Sequence, residues 1–240
     1  MSEIMPTDVK RSTWFNPETQ PVIAVDSLPS LAKEALQEDF IREAFKTMPL
    51  GQVDPHFQGQ FVENFTAAPA AIPAAVYLGL QQRETGMSML FTRRSAHLLH
   101  HAGQISFPGG RIDPEDLSVQ AAALRETHEE VGIDPDYLEP LGQQPIFLSS
   151  SSFAMCPVVG MIHPGYRMVP SPAEVSEVFE VPLSALLDPS QHTLHQVQVN
   201  GVNYRQYFAI RWQQHFIWGA TAVIVRNFYH YLHAAHQRLA

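Results

Sequence analysis

With Cys156 as its one cysteine, this 240-residue chain can form no internal disulfide, which points to a reducing compartment and makes the cytoplasm the expected location. Lying between Phe153 and Pro157, that thiol reads as a small buried hydrophobe rather than a nucleophile. Basic residues are too few for a general nucleic-acid binder: 15 Lys and Arg stand against 24 Asp and Glu, a net charge of −9. The deficit leaves a small phosphorylated substrate open, because a bound cation and a few local arginines reverse the sign inside a pocket. No uninterrupted run of about twenty apolar residues exists, so no membrane span is expected. Met1–Lys10 is polar and lacks the apolar run of a secretory signal. Charged residues make up only 16% of the chain, and its 45% hydrophobic content is enough for one core, or one core plus an extension. A homodimer is the assembly expected if copies associate.

What the chain does have is a glycine pair followed by an acidic helix. Gly109-Gly110-Arg111-Ile112-Asp113 leads to Arg125-Glu126-Thr127-His128-Glu129-Glu130-Val131-Gly132-Ile133. At about 100° per residue, Glu129 falls at roughly −60° and Glu130 at roughly +40° from Glu126, so three carboxylates share one face. Leu117, Ala121, Leu124 and Val131 fall opposite and form the expected buried stripe. Like charges at this spacing repel one another. A hard divalent cation, magnesium or manganese, relieves that repulsion and suits oxygen ligands. It also neutralises pyrophosphate oxygens and makes a water nucleophilic. Glu129 and Glu130 are the first choices as ligands, with Glu126 either binding metal or orienting water. Arg125 flanks the acids and either pairs with a ligand carboxylate or touches phosphate; pairing is favoured, since metal sites need such support. Asp116, on the rim, has a capping role or an outer-sphere metal contact open to it. A plain solvated acidic face is the bland alternative, and the paired glycines and Arg125 count against it.

These residues resemble the signature of the Nudix hydrolases, enzymes that cleave a nucleoside diphosphate linked to another group. Gly110, Arg125, Glu126, Glu129, Glu130, Gly132 and Ile133 match the pattern. The interval from Gly110 to Arg125 is one residue longer than usual, which puts Asp116 where a glutamate is expected, and Thr127 replaces an apolar residue. The longer form is similar to the coenzyme A pyrophosphatase branch. An upstream segment, Leu90-Phe91-Thr92-Arg93-Arg94-Ser95 and then His101-x-Gly103-Gln104-Ile105-Ser106-Phe107-Pro108-Gly109-Gly110, resembles the same branch. Leu99 stands where that segment usually carries arginine. Downstream, Glu174-Val175, Val178–Leu183 and Ile217–Ala222 also look like the family.

The resemblance implies an α+β fold, a mixed β-sheet sandwiched between helices, over residues 71–240. Residues 1–70 are expected to be an N-terminal extension made of a polar arm to about residue 26, an amphipathic helix from Pro29 to Met48, and a linker from Pro55 to Pro73. The implied reaction splits coenzyme A or an acyl derivative into 3′,5′-ADP and (acyl-)4′-phosphopantetheine with Mg2+ or Mn2+. The carbonyl at Gly109 or Gly110 completes the metal shell, and the general base is Glu126 or a late carboxylate, Glu174 ahead of Glu177. Arg93, Arg94, His101, Gly109 and Arg111 are the expected substrate-binding residues. A Nudix hydrolase of another dinucleotide or sugar nucleotide is the alternative enzyme. A non-catalytic ligand sensor is the alternative outside enzymes, against which the intact carboxylate set argues.

Overall fold

The computed structural model describes residues 15–48, 53–199 and 203–239. The chain begins with a short strand, Val22–Val25 (β1), then a 3-10 turn, Lys33–Leu36, and a helix, Glu38–Thr47 (α1). The helix expected from Pro29 therefore starts about two turns late. A second short strand, Phe61–Val62 (β2), precedes the long hairpin Ile72–Arg83 (β3) and Gly86–Arg94 (β4). Ile105–Ser106 (β5) and Gly109–Arg111 (β6) lead into the acidic helix, Val119–Val131 (α2). Leu138–Gln143 (β7), Ile146–Leu148 (β8), Phe153–Ile162 (β9) and Val175–Pro182 (β10) follow, then the short helix Leu183–Leu186 (α3). His192–Val199 (β11), Asn203–Trp212 (β12) and His215–Trp218 (β13) run into the closing helix, Ala220–Leu239 (α4).

The main sheet has the order β10-β4-β3-β9-β8-β2, with β5 on β4, β6 on β3 and β7 on β9. Only the central pair, β3 with β9, is parallel, so the sheet is mixed. Alternation along β3 sorts its side chains between two cores. Ala75 and Tyr77 meet Ala122, Ala123 and Val131 of α2 on one face. Val76, Leu78 and Leu80 meet α4 and the second sheet on the other. Helices cover both faces, as the α+β sandwich expectation requires.

The second sheet, β1-β11-β12-β13, carries its inward residues Leu194, Phe208, Ile210 and Ile217 into the same core as α4. It corrects the polar-arm reading for residues 22–26: Val22 to Val25 pair with His195 to Thr193, and Asp26 N donates to the His192 carbonyl at 2.9 Å. Residues 1–14 of that arm lie outside the described residues. The linker reading also changes, since Phe61 and Val62 pair with Phe147 and Ile146, and β3 already begins at Ile72. Helix α1 docks on α4 through Phe45, which meets Tyr231 at 4.7 Å between ring centroids, while Tyr231 donates to the Ala44 carbonyl at 2.8 Å. Arg42 adds a bidentate pair to Glu139 on β7, both contacts at 2.8 Å. Among the described residues, no helix is long and apolar enough to cross a membrane.

Candidate active site

Helix α2 is held at both ends by short-range chemistry. Ser118 accepts from Ala121 N at 3.0 Å as N-cap, and Gly132 closes the helix in a left-handed conformation, φ +75°. The expected apolar stripe is corrected here. Leu117 precedes the N-cap and is 98% exposed, so it covers nothing. Ala121 and Leu124 are only half-buried, and the packed side is Ala122, Ala123, Thr127 and Val131. Thr127 can stand at an apolar position because its hydroxyl donates to the Ala123 carbonyl one turn back, at 2.7 Å.

That rotation separates the three acids. Glu130 lies on the buried side and is 3% exposed, Glu126 sits at the boundary, and Glu129 faces solvent. Arg94 at the end of β4 donates to Glu130 Oε1 at 3.2 Å, and Gly109 N donates to its Oε2 at 3.3 Å. Burial pushes the Glu130 carboxyl up to about 7, with Arg94 and the Gly109 N–H opposing and Glu126 and Glu174 adding to the rise. Glu126 is likewise raised by burial, against the pull of Arg125.

Arg125 makes the densest set of contacts. It donates through Nε and Nη2 to Asp116 at 3.0 and 2.9 Å, and through Nη1 to Glu126 at 3.0 Å and Glu129 at 3.2 Å. Its Nη2 also meets the Arg111 carbonyl at 3.1 Å. Asp116, which also accepts from Asp113 N at 2.8 Å, is held below its ordinary pKa by the Arg125 guanidinium. One cation thus ties the loop after β6 to the acids of α2.

Gly110 is the other half of the arrangement. A Cβ on it would stand 2.5 Å from the Glu126 carboxyl carbon, so only glycine lets that carboxylate rest against the β6 backbone. Gly110→Ala is therefore expected to displace Glu126 and cut kcat/KM by roughly a hundredfold, the cost of a shift of about 1 Å at a reacting centre. Melting temperature should hold, because Gly110 lies within strand β6 and is not one of the positive-φ glycines. Wild-type kinetics for this variant would mean that Glu126 does not act from this position.

The other expected residues divide. The loop after β9 is fastened to the end of α2, with Val169 N on the Val131 carbonyl at 2.9 Å and Ser171 N on the Glu130 carbonyl at 3.0 Å. Glu174 thereby comes near enough to Glu126 and Glu130 to raise both electrostatically. Arg93 turns to the opposite face of β4, where it donates to Glu177 at 2.8 Å, and Glu177 in turn takes His215 Nε2 at 2.9 Å. Arg93 and Glu177 are not brought to the acids. His101 occupies an exposed turn, its Nδ1 2.9 Å from Gln104 Oε1, and touches none of the carboxylates. Cys156 is buried and its thiol pushed up to about 12 by burial, as an inert core residue should be. Sequence reasoning gave Asp116 no ion pair; its placement nine residues before Arg125, in a turn rather than a helix, carries no helical-period signal.

Among the described residues, no three His, Cys, Asp or Glu side chains are drawn together into a ready cage for a metal ion. Arg125 and Arg94 hold the acids instead. The donor chemistry nevertheless fits a hard divalent ion: glutamate oxygens converge on a glycine backbone where no side chain intrudes, and one carboxylate is buried at a cost that a cation offsets.

A NUDIX domain model matches residues 71–200. The Nudix hydrolase NudL of Photorhabdus laumondii is 46% identical over 140 residues, covering 58% of this chain and 74% of that protein. Its namesake in Yersinia enterocolitica is 36% identical over 192 residues, 80% of this chain and 96% of the relative. The solved Nudix hydrolase from M. Smegmatis, RenU, aligns with a TM-score of 0.40 at 21% identity, over 47% of this chain and 71% of that one. The chain belongs to the Nudix hydrolase family, whose members act on pyrophosphate bonds and generally use divalent ions such as Mg2+ or Mn2+.

Proposed function

We propose that this Nudix hydrolase cleaves the pyrophosphate of coenzyme A or an acyl derivative, releasing 3′,5′-ADP and (acyl-)4′-phosphopantetheine. The observation that carries the reading is the continuity of two motifs. The segment Arg93–Gly110, which resembles the coenzyme A branch, runs through β4, β5 and β6 straight into the acid site, with Arg94 on Glu130 and Gly110 on Glu126. A substrate engaging that segment would have its pyrophosphate beside the carboxylates.

Glu126, Glu129, Glu130 and the Gly110 carbonyl would hold the divalent ion, which supplies charge neutralisation and an activated water when bound. Arg125 acts as a positioning residue, fixing the rotamers of Glu126 and Glu129 through one guanidinium. Glu126 or Glu174 takes the proton of the attacking water; both stand in the same electrostatic neighbourhood. Arg94 and the Gly109 N–H orient the Glu130 carboxylate through its two oxygens. Arg93, paired with Glu177 and directed to the other face, supports the loop rather than the substrate.

Leu99, 91% exposed on the loop between β4 and β5, leaves that rim without the cation usual in the branch, which favours a second reading with another dinucleotide or sugar nucleotide. Mass analysis of products from a panel of coenzyme A, a diadenosine polyphosphate and a sugar nucleotide separates the two. Coenzyme A is expected to give the highest kcat/KM, with 3′,5′-ADP and 4′-phosphopantetheine in equal amounts. Preference for either of the others leaves the chain a Nudix hydrolase and removes coenzyme A.

A further inference from the structure

The structure brings Arg111 and Phe153 together on the sheet face opposite the acids, with a serine turn leading into Phe153. Gly110 faces Glu126, so the next residue of β6, Arg111, points to the other side. There its guanidinium lies 6.0 Å from the centroid of the Phe153 ring. The meeting follows from register: Arg111 pairs with Ala74 and Phe153 with Ile72, so both flank β3 two residues apart and share a face. Phe153 opens β9 immediately after the run Ser149-Ser150-Ser151-Ser152, a turn fastened by Ser149 N to the Phe153 carbonyl at 2.9 Å and Ile72 N to the Ser152 carbonyl at 2.8 Å.

The chemistry there is free. Of the arginines around the site, Arg93, Arg94 and Arg125 are engaged by Glu177, Glu130 and Asp116, whereas Arg111 has no ion pair among the described residues. Ser149 and Ser151 hydrogen-bond each other at 3.0 Å, while the exposed Ser150 and Ser152 hydroxyls have no partner among the described residues. Among the described residues strand β6 pairs with β3 alone, and on its other edge the Gly109 N–H is taken by Glu130 and the Arg111 carbonyl by Arg125. A pyrophosphate beside that edge has the acids on one face and the Arg111 side chain on the other.

We propose that Arg111, with Phe153 and the serine turn, forms a subsite for the nucleoside half of the substrate and recognises a phosphate monoester on its ribose. This rests on the coenzyme A reading, since coenzyme A carries such a 3′-phosphate and most competing nucleotides do not. The guanidinium meets the dianion, the Ser150 and Ser152 hydroxyls donate to its remaining oxygens, and the half-buried Phe153 ring offers the base a stacking face. Arg93 and Arg94, also expected to bind substrate, are less suited to this phosphate, since each already holds a carboxylate.

Calorimetric binding of 3′,5′-ADP and of 5′-AMP to the full-length protein in magnesium tests the subsite without requiring turnover. The wild-type protein is expected to bind 3′,5′-ADP roughly ten- to a hundredfold tighter, the strength of one charge-assisted contact. In Arg111→Ala the ratio should fall to near one, in Arg111→Lys it should recover in part, and in Ser150→Ala/Ser152→Ala it should fall by less. Equal or absent binding of the two ligands by the wild-type protein overturns the subsite, as does a wild-type ratio in Arg111→Ala. A ratio that depends on Arg111 while coenzyme A is not hydrolysed supports the subsite and sinks the coenzyme A reading.

Discussion

Glu130→Gln is expected to lower turnover at saturating magnesium by at least about a hundredfold, a loss of about 3 kcal/mol of transition-state stabilisation. The amide keeps the shape of the side chain and can still accept from the Gly109 N–H. It cannot carry charge, and charge is what this position holds at a cost: burial pushes the carboxyl up to about 7 even with Arg94 at 3.2 Å. A group kept in so unfavourable a place is held for something other than stability. Folding should therefore survive or improve, because the amide removes the burial penalty and the partly exposed Arg94 can turn to water. The pairing of lost activity with an unchanged or higher melting temperature distinguishes a functional acid from a structural one. Near wild-type turnover would remove Glu130 from the site.

How much of this was legible in the sequence follows from the range of the interactions involved. Local patterns carried the glycine pair and the helix bearing Glu126, Glu129 and Glu130. Each depends on residues a few positions apart, such as the Ser118 and Gly132 caps. The face of α2 that packs was less legible, since a small-residue stripe of Ala122 and Ala123 with a self-satisfied Thr127 has weaker apolar contrast than Leu117 and Leu124. Register gave the rest. Arg111 reaches Phe153 only because both flank β3, and Arg93 and Arg94 reach different carboxylates because neighbours on a strand face opposite sides. The second sheet was hidden for the same reason. Val22–Val25 is too short and too exposed to announce itself, and it becomes a strand only when β11, some 170 residues later, supplies the partner edge.

Arg226→Met is expected to be the most destabilising single change outside the site, at about 3–5 kcal/mol, because it leaves a buried carboxylate without its cation. Arg226 is 3% exposed in the middle of α4, and its Nε donates to Asp54 Oδ2 at 2.8 Å. Its Nη1 meets Asp26, and the guanidinium lies 3.6 Å over the Phe208 ring. Asn227 fastens the same segment by accepting from Asp54 N at 3.0 Å. These contacts hold Asp26 and Asp54, from the first seventy residues, against the closing helix. Methionine fills the space and keeps the contact with Phe208, so the loss reads the charge rather than a cavity. At about 2–4 °C per kcal/mol for a chain of this size, the melting temperature should fall by roughly 6–20 °C. The pH dependence fixes the cause. Burial acts to raise the Asp54 carboxyl, which is 1% exposed, but His230 and Arg226 outweigh it and bring it down to about 2. A depressed carboxylate contributes stability that is complete above its unfolded pKa and is lost as pH falls toward the folded value. The gap between wild type and variant should therefore be widest near neutral pH and shrink as pH falls, closing toward about pH 2. Adding Asp54→Asn to the methionine variant should restore part of the loss, since the uncompensated charge is then gone. A variant within about 1 kcal/mol of wild type at neutral pH, the scale of an exposed ion pair, would show that this network does not anchor the N-terminal segment.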